Sequence, residues 1–147
     1  MRKALIAIAG LVLAVALLAT GFGYGVDRDR YVAGNDAILD ELPTYPGARR
    51  TSTRSSAYYE GDSAWSPVAG YVTLAFLELP PKAAPERVAA FYERELAAEW
   101  ELTERLTEPS FAAGPILNFR RGEATLSVNL DSWRAGILEI AVDHGGG

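Results

Sequence analysis

One histidine and no cysteine narrow the chemistry open to this 147-residue chain. Transition metals need convergent His, Cys, Asp or Glu ligands. A Ser-His-Asp or Cys-His nucleophile needs an imidazole held beside it. The histidine, His144, stands close to the C-terminus, where a frayed, solvent-exposed side chain is the expectation. Lack of cysteine excludes a disulfide framework, a thiolate metal site and a lipid-modified cysteine behind an export signal. No catalytic, cofactor-binding or metal-ligating residue is therefore assigned, and no cofactor is expected.

Carboxylates are the other candidates. Glu86, Glu93, Glu95, Glu99, Glu101 and Glu104 crowd one stretch, and two converging acids about 5 to 10 Å apart hydrolyse glycosides. Their spacing instead suits an outward, solvated helix face. Glu95, seven residues after Val88, comes nearest the apolar stripe. Gly21-x-Gly23-x-Gly25 lacks the flanking strand and helix of a phosphate loop. Aromatic rings in or beside turns stack on sugars or grip peptides, and Tyr45, Tyr58, Tyr59, Trp65 and Trp133 are so placed. Arg49, Arg50 and Arg54 stand ready for carboxylate or phosphate groups. Tyr58, Tyr59, Trp65, Arg49, Arg50 and Arg54 thus form the candidate ligand surface.

These side chains need a scaffold, and the clearest element is an amphipathic helix from Pro85 toward Trp100. Val88, Phe91, Tyr92 and Leu96 share one stripe, Pro85 suits a first helical position, and Glu86 complements the helix dipole. Before it, Ala37–Leu42 reads as a short helix capped by Asn35 or Asp36 and stopped by Pro43. Polar Arg49–Tyr59 reads as an edge strand, and apolar Gly70–Leu79 as a central one. After the helix, Trp100–Leu106 reads as a strand with Trp100, Leu102 and Leu106 on one face. Ile116–Arg120 and Ala124–Leu130 form hairpin arms about Gly122, and Ile137–Val142 closes the order. The expected fold is α+β: a single antiparallel sheet of five or six strands, β-β-α-β-β-β-β, with one helix on one face.

The N-terminus points to a membrane. Ala4–Val26 is an uncharged run of 23 residues. As a helix it spans about 34 Å, enough for a hydrocarbon core of about 30 Å. Arg2 and Lys3 precede it while Asp27-Arg28-Asp29-Arg30 cancels, so the positive-inside rule leaves the N-terminus cytoplasmic and the rest outside. The alternative is a cleaved signal peptide with Ala19-Thr20-Gly21 as its small-x-small site and a secreted product. The expected organisation is an anchor over 1–26, a juxtamembrane linker with a short helix over 27–41, an extracytoplasmic domain over 42–144 and a disordered tail over 145–147. Setting Arg2 and Lys3 aside leaves 12 basic against 19 acidic side chains, a net −7. Such a surface does not seek nucleic acid.

Residues 42–142 resemble a loose class of uncharacterised exported or membrane-anchored bacterial domains. The resemblance is carried by Pro43-x-Tyr45-Pro46-Gly47-Ala48, by Glu86-x-Val88-x-x-Phe91-Tyr92-x-x-x-Leu96 with Trp100 after it, and by Phe119-Arg120-Arg121-Gly122-Glu123. Ala83-Ala84 stands where such domains often have a Ser or Thr cap, and Glu99 where they often have glycine. The resemblance implies the fold and the export and brings no activity or site residues with it. The expected function is a non-enzymatic module for a protein or envelope component, the membrane being reached through residues 4–26. The alternative is a small-ligand or glycan binder using the loop aromatics.

Overall fold

The computed structural model describes residues 26–60, 67–107, 114–130 and 136–145. Within them the chain runs α1 (Arg28–Glu41), β1 (Arg49–Tyr59), β2 (Val68–Glu78), α2 (Pro85–Leu96), β3 (Glu101–Leu106), β4 (Ile116–Arg121), β5 (Ala124–Leu130) and β6 (Ile137–Asp143). The six strands form one antiparallel sheet in the order β1-β2-β6-β5-β4-β3. The expected α+β class and strand sequence are those observed. Among the described residues no helix is long and apolar enough to cross a membrane. The predicted anchor, Val26 excepted, lies outside them.

Alternation decides which face of the sheet is dry. Leu138, Ile140 and Val142 of β6 are buried, as are Leu126, Val128 and Leu130 opposite them on β5. Ala75 and Leu77 of β2 and Leu117 and Phe119 of β4 extend the same face. Both helices close it. Val88, Ala89, Tyr92 and Leu96 of α2 and Ile38 and Leu39 of α1 belong to that core. Tyr92 is wholly buried, and truncating such a ring costs about 3 to 5 kcal/mol.

The largest departure from expectation is α1. It starts nine residues before the predicted short helix, and the segment expected as linker is its first half. Asp27 is the cap, its carboxylate accepting the N–H groups of Asp29 (3.1 Å) and Arg30 (3.3 Å). The buried stripe is Tyr31, Asn35, Ile38 and Leu39, so two of its four positions are polar. Asn35 donates to the Tyr71 carbonyl (2.7 Å) and to Thr73 Oγ1 (3.2 Å), and accepts the His144 N–H (2.8 Å). Thus α1 ties β2 to the end of β6.

Three smaller expectations also change. His144 is neither frayed nor exposed: its ring packs on Tyr31 with centroids 4.1 Å apart. A Cβ on Gly34 would sit 2.4 Å from His144 Cδ2, so that glycine admits the ring. Gly145, expected in a disordered tail, forms a turn whose N–H bonds Asp143 Oδ1; 146 and 147 lie outside the described residues. Leu102 and Leu106 do not join Trp100 in the core, because a bulge between Leu102 and Glu104 resets the face and turns Arg105 toward α2.

Two stability measurements check this packing. Asn35→Ala leaves the Tyr71 carbonyl and the His144 N–H without their buried partner. It should lower urea-unfolding stability by about 2 to 4 kcal/mol, and a loss under about 0.5 kcal/mol would contradict the role given to Asn35. Lys82 occupies the left-handed region (φ 68°) in the turn closed by Ala83 N–H to the Pro80 carbonyl. Lys82→Gly should therefore stabilise by about 0.5 to 1 kcal/mol in the same assay.

Candidate functional site

Opposite the helices, the sheet presents a different set of side chains. The register aligns Arg54, Leu74, Ala141, Ser127, Asn118 and Glu104 in one row across all six strands. The neighbouring row carries Asp143, Thr125, Arg120 and Glu101. A groove of about 480 Å³ crosses these rows, with Val72 and Ala141 in its lining beside Thr103, Thr125, Ser127 and Asn118. Asp143 and Arg120 are the charged groups lining it. Thr103 donates to the Asn118 carbonyl (3.0 Å), and Asn118 Nδ2 donates to Glu104 (2.8 Å). The result is a shallow, largely apolar groove that carries the hydroxyls of Thr103, Thr125 and Ser127, the Arg120 guanidinium and, at the β6 end, the Asp143 carboxylate.

That carboxylate is a hub. Asp143 Oδ1 accepts the Tyr31 hydroxyl at 2.5 Å and the Gly145 N–H at 2.9 Å; Oδ2 accepts the Tyr58 hydroxyl at 2.8 Å. The two hydroxyls are 3.4 Å apart. Their meeting depends on Gly70, where a Cβ would stand 2.5 Å from the Tyr58 oxygen and 2.6 Å from that of Tyr31. A glycine in β2 thereby lets a ring from the helix side reach a carboxylate that lines the opposite face.

This environment shifts both phenols. Tyr31 is held well above the usual range, first by burial and then by its bonds to Asp143 and Tyr58. For Tyr58 the Tyr31 bond is the largest influence and pulls down, but burial and the Asp143 bond and charge together outweigh it. In the core, burial pushes Tyr92 up to about 12, with the Arg50 charge acting against it.

The sequence-predicted ligand residues do not converge. Tyr58 reaches the Asp143 hub from within β1, not from a loop. Tyr59 stays exposed, and Trp65 and Trp133 lie outside the described residues. Tyr45 folds onto the core edge against Phe91, with centroids 5.4 Å apart. The arginines diverge: Arg49 pairs with Glu78 (2.7 Å), Arg50 binds Asp40 and the Leu39 carbonyl on α1, and Arg54 lies over Phe76 at 5.5 Å. Thr125, Ser127 and Asp143 were missed, since short polar residues alternating with core residues read as a wet face and nothing more.

All the crowded glutamates but Glu104, which Asn118 binds, are held by arginines. Glu86 and Glu93 both pair with Arg105, Glu95 with Arg94, and Glu99 with Arg121, which also stacks on Trp100 at 4.6 Å. Arg105 is raised above its ordinary value, mainly by its bond to Glu93. Among the described residues no three His, Cys, Asp or Glu side chains are grouped as metal ligands.

The raised phenols imply alkaline lability. A phenol whose folded pKa exceeds its unfolded value of about 10 stabilises the fold below about pH 10 and loses that contribution as pH rises through the folded value. The urea midpoint should fall steeply above about pH 10, and Tyr31→Phe should flatten part of that fall. A midpoint unchanged through strong alkali would contradict the hub.

No family model, curated protein or solved structure matches this chain, so its own geometry carries the argument.

Proposed function

We propose that this chain is a non-enzymatic extracytoplasmic module, held at a cell membrane by its N-terminal segment, that binds an envelope component through the helix-free face of its sheet. One observation carries the reading. Two helices close one face, whereas the other keeps an open groove of about 480 Å³, within the range of small-ligand sites. Edge-to-edge association is the weaker mode for this sheet. Both edge strands carry register irregularities, β1 between Arg50 and Ser52 and β3 between Leu102 and Glu104, and bulged edges discourage added strands.

The membrane part of the proposal rests on the uncharged Ala4–Val26 run and the basic residues before it. Its folded counterpart begins at once, because Asp27 caps α1 directly after Val26. A retained anchor therefore leaves no slack and holds the domain against the bilayer surface. Binding is favoured over catalysis because the carboxylates of α2 are each engaged by an arginine. A second reading, a secreted small-ligand or glycan binder, is favoured by Ala19-Thr20-Gly21 and by the Thr103, Thr125 and Ser127 hydroxyls in the groove. The resemblance of residues 42–142 to exported bacterial domains supports either.

Fractionation with intact-mass measurement separates the two. Full mass in the membrane fraction is expected; loss of about 20 residues with release into the soluble fraction would establish the secreted form. The working surface is tested in cells by a photo-crosslinking residue at Thr125, in the groove, or at Arg87, exposed on α2. Discrete adducts from position 125 alone are expected, and equal capture from both positions would remove the groove from the proposal.

A further inference from the structure

Resting on that reading, we infer that the β6 end of the groove is a subsite for a primary ammonium group, with the threonine, serine and asparagine wall holding hydroxyl groups beside it. Asp143 has three hydrogen-bond partners among the described residues. All of them are neutral donors: two phenols and one backbone N–H. Several carboxylates pair with arginine, as at Glu78, Asp40, Glu86, Glu93 and Glu99, while Glu104 and Glu139 are bound by asparagine amides. At Asp143, which lines the groove, the charge is oriented by three neutral donors with no basic side chain among its described partners.

Geometry supplies the opening. A carboxylate has about four acceptor positions. Oδ1 uses two, and Oδ2 uses one for Tyr58, so a position on Oδ2 is left on a residue that lines the groove. Arg120 does not fill it. It stands two strands away, roughly 10 Å by the spacing of adjacent strands, and pairs with Glu101 at 3.4 Å. Next to Asp143 across the ladder is Thr125, and Ser127 follows on the same strand. Hydroxyls beside an unpaired carboxylate match a ligand whose own hydroxyls neighbour a cation. An ammonium fits this better than a guanidinium, because a single remaining acceptor position cannot take a bidentate fork. The negative charge of the chain draws cations toward the site at low salt.

An amino sugar and a lysine side chain both offer this chemistry, and the test distinguishes them. Full-length protein in non-ionic detergent is titrated at about pH 6, below the ordinary pKa of an amine, and followed by calorimetry and amide NMR. The probes are a β-1,4-linked glucosamine trisaccharide, its N-acetylated form and tri-lysine. The glucosamine trisaccharide should bind with shifts at Thr125, Ser127, Ala141 and Asp143. Acetylation, which removes the charge and keeps the ring, should weaken binding about ten- to a hundredfold, the scale of one charge-assisted hydrogen bond. Asp143→Asn keeps an acceptor for the phenols and should bring the glucosamine form down to the acetylated level. Tri-lysine binding equally well at the same residues would support the subsite and assign it to a peptide ligand.

Three results would overturn the inference. They are equal binding of the acetylated and free-amine trisaccharides, shifts confined to other acidic surfaces such as Glu99 and Glu101, and no binding of either cationic probe. Equal binding in the groove would leave the proposed binding face standing, and only loss of the Thr125 crosslinks would remove that. The comparison between ligands needs no variant, so it decides the matter even where Asp143→Asn fails to fold.

Discussion

The pairing of β2 with β6 is the constraint on which the rest of this fold depends. The first two strands alone are a hairpin, and β3 to β6 alone are a meander. Only six cross-strand positions, from Thr73–Val142 to Glu78–Ile137, join the two into one sheet. A two-stranded ribbon is at best marginal in water, so β1 and β2 owe their stability to this seam. Closing it brings together residues about sixty to seventy positions apart, an entropic loss that the seam alone repays poorly. Helix α1 adds what is missing. Asn35 bonds β2 and the residue after β6 at once, and Tyr31 reaches Asp143 at the end of β6.

From the seam follows the inequality of the two faces. The two helices lie on the same side, α1 over β2 and β6 and α2 over β4 and β5. Between them they cover the apolar set of Ala75, Leu77, Leu138, Ile140 and Val128. The other side keeps short polar side chains in the middle strands, where bulk would have filled the groove. A shallow groove with scattered hydroxyls and one carboxylate, beside a packed core, is what a sheet covered on one side only leaves available.

Much of this was legible in the residues. Strict alternation in Ala124–Leu130 and Ile137–Val142, the glycine turn at Gly122 and the proline start of α2 each reflect a local rule, and each element formed where that rule put it. What escaped was decided by tertiary partners. The stripe of α1 contains Tyr31 and Asn35, so its periodicity is weak in hydrophobicity and strong only once Thr73, Tyr71 and His144 are opposite. His144 looked frayed because nothing local shows that Gly34 makes room for its ring. The arginines of β1 looked like one cluster, yet the bulge between Arg50 and Ser52 breaks the alternation and sends Arg50 to the helix side and Arg54 to the groove side. Sequence proximity along a strand is not proximity on a face.

The Asp143 hub links the packing problem to the binding problem. Its carboxylate holds Tyr31, a buried residue of the helix that closes the seam, and also lines the groove on the far side of the sheet. Gly70 is what permits this, since any side chain there would part the two hydroxyls. A carboxylate used only for stability would be better served by an arginine, which this chain uses freely elsewhere. Phenols hold it in place without cancelling its charge, and they do so from residues already fixed by the fold. Orientation without neutralisation favours a cation arriving from solvent, because the reorganisation needed to receive it has been completed in folding.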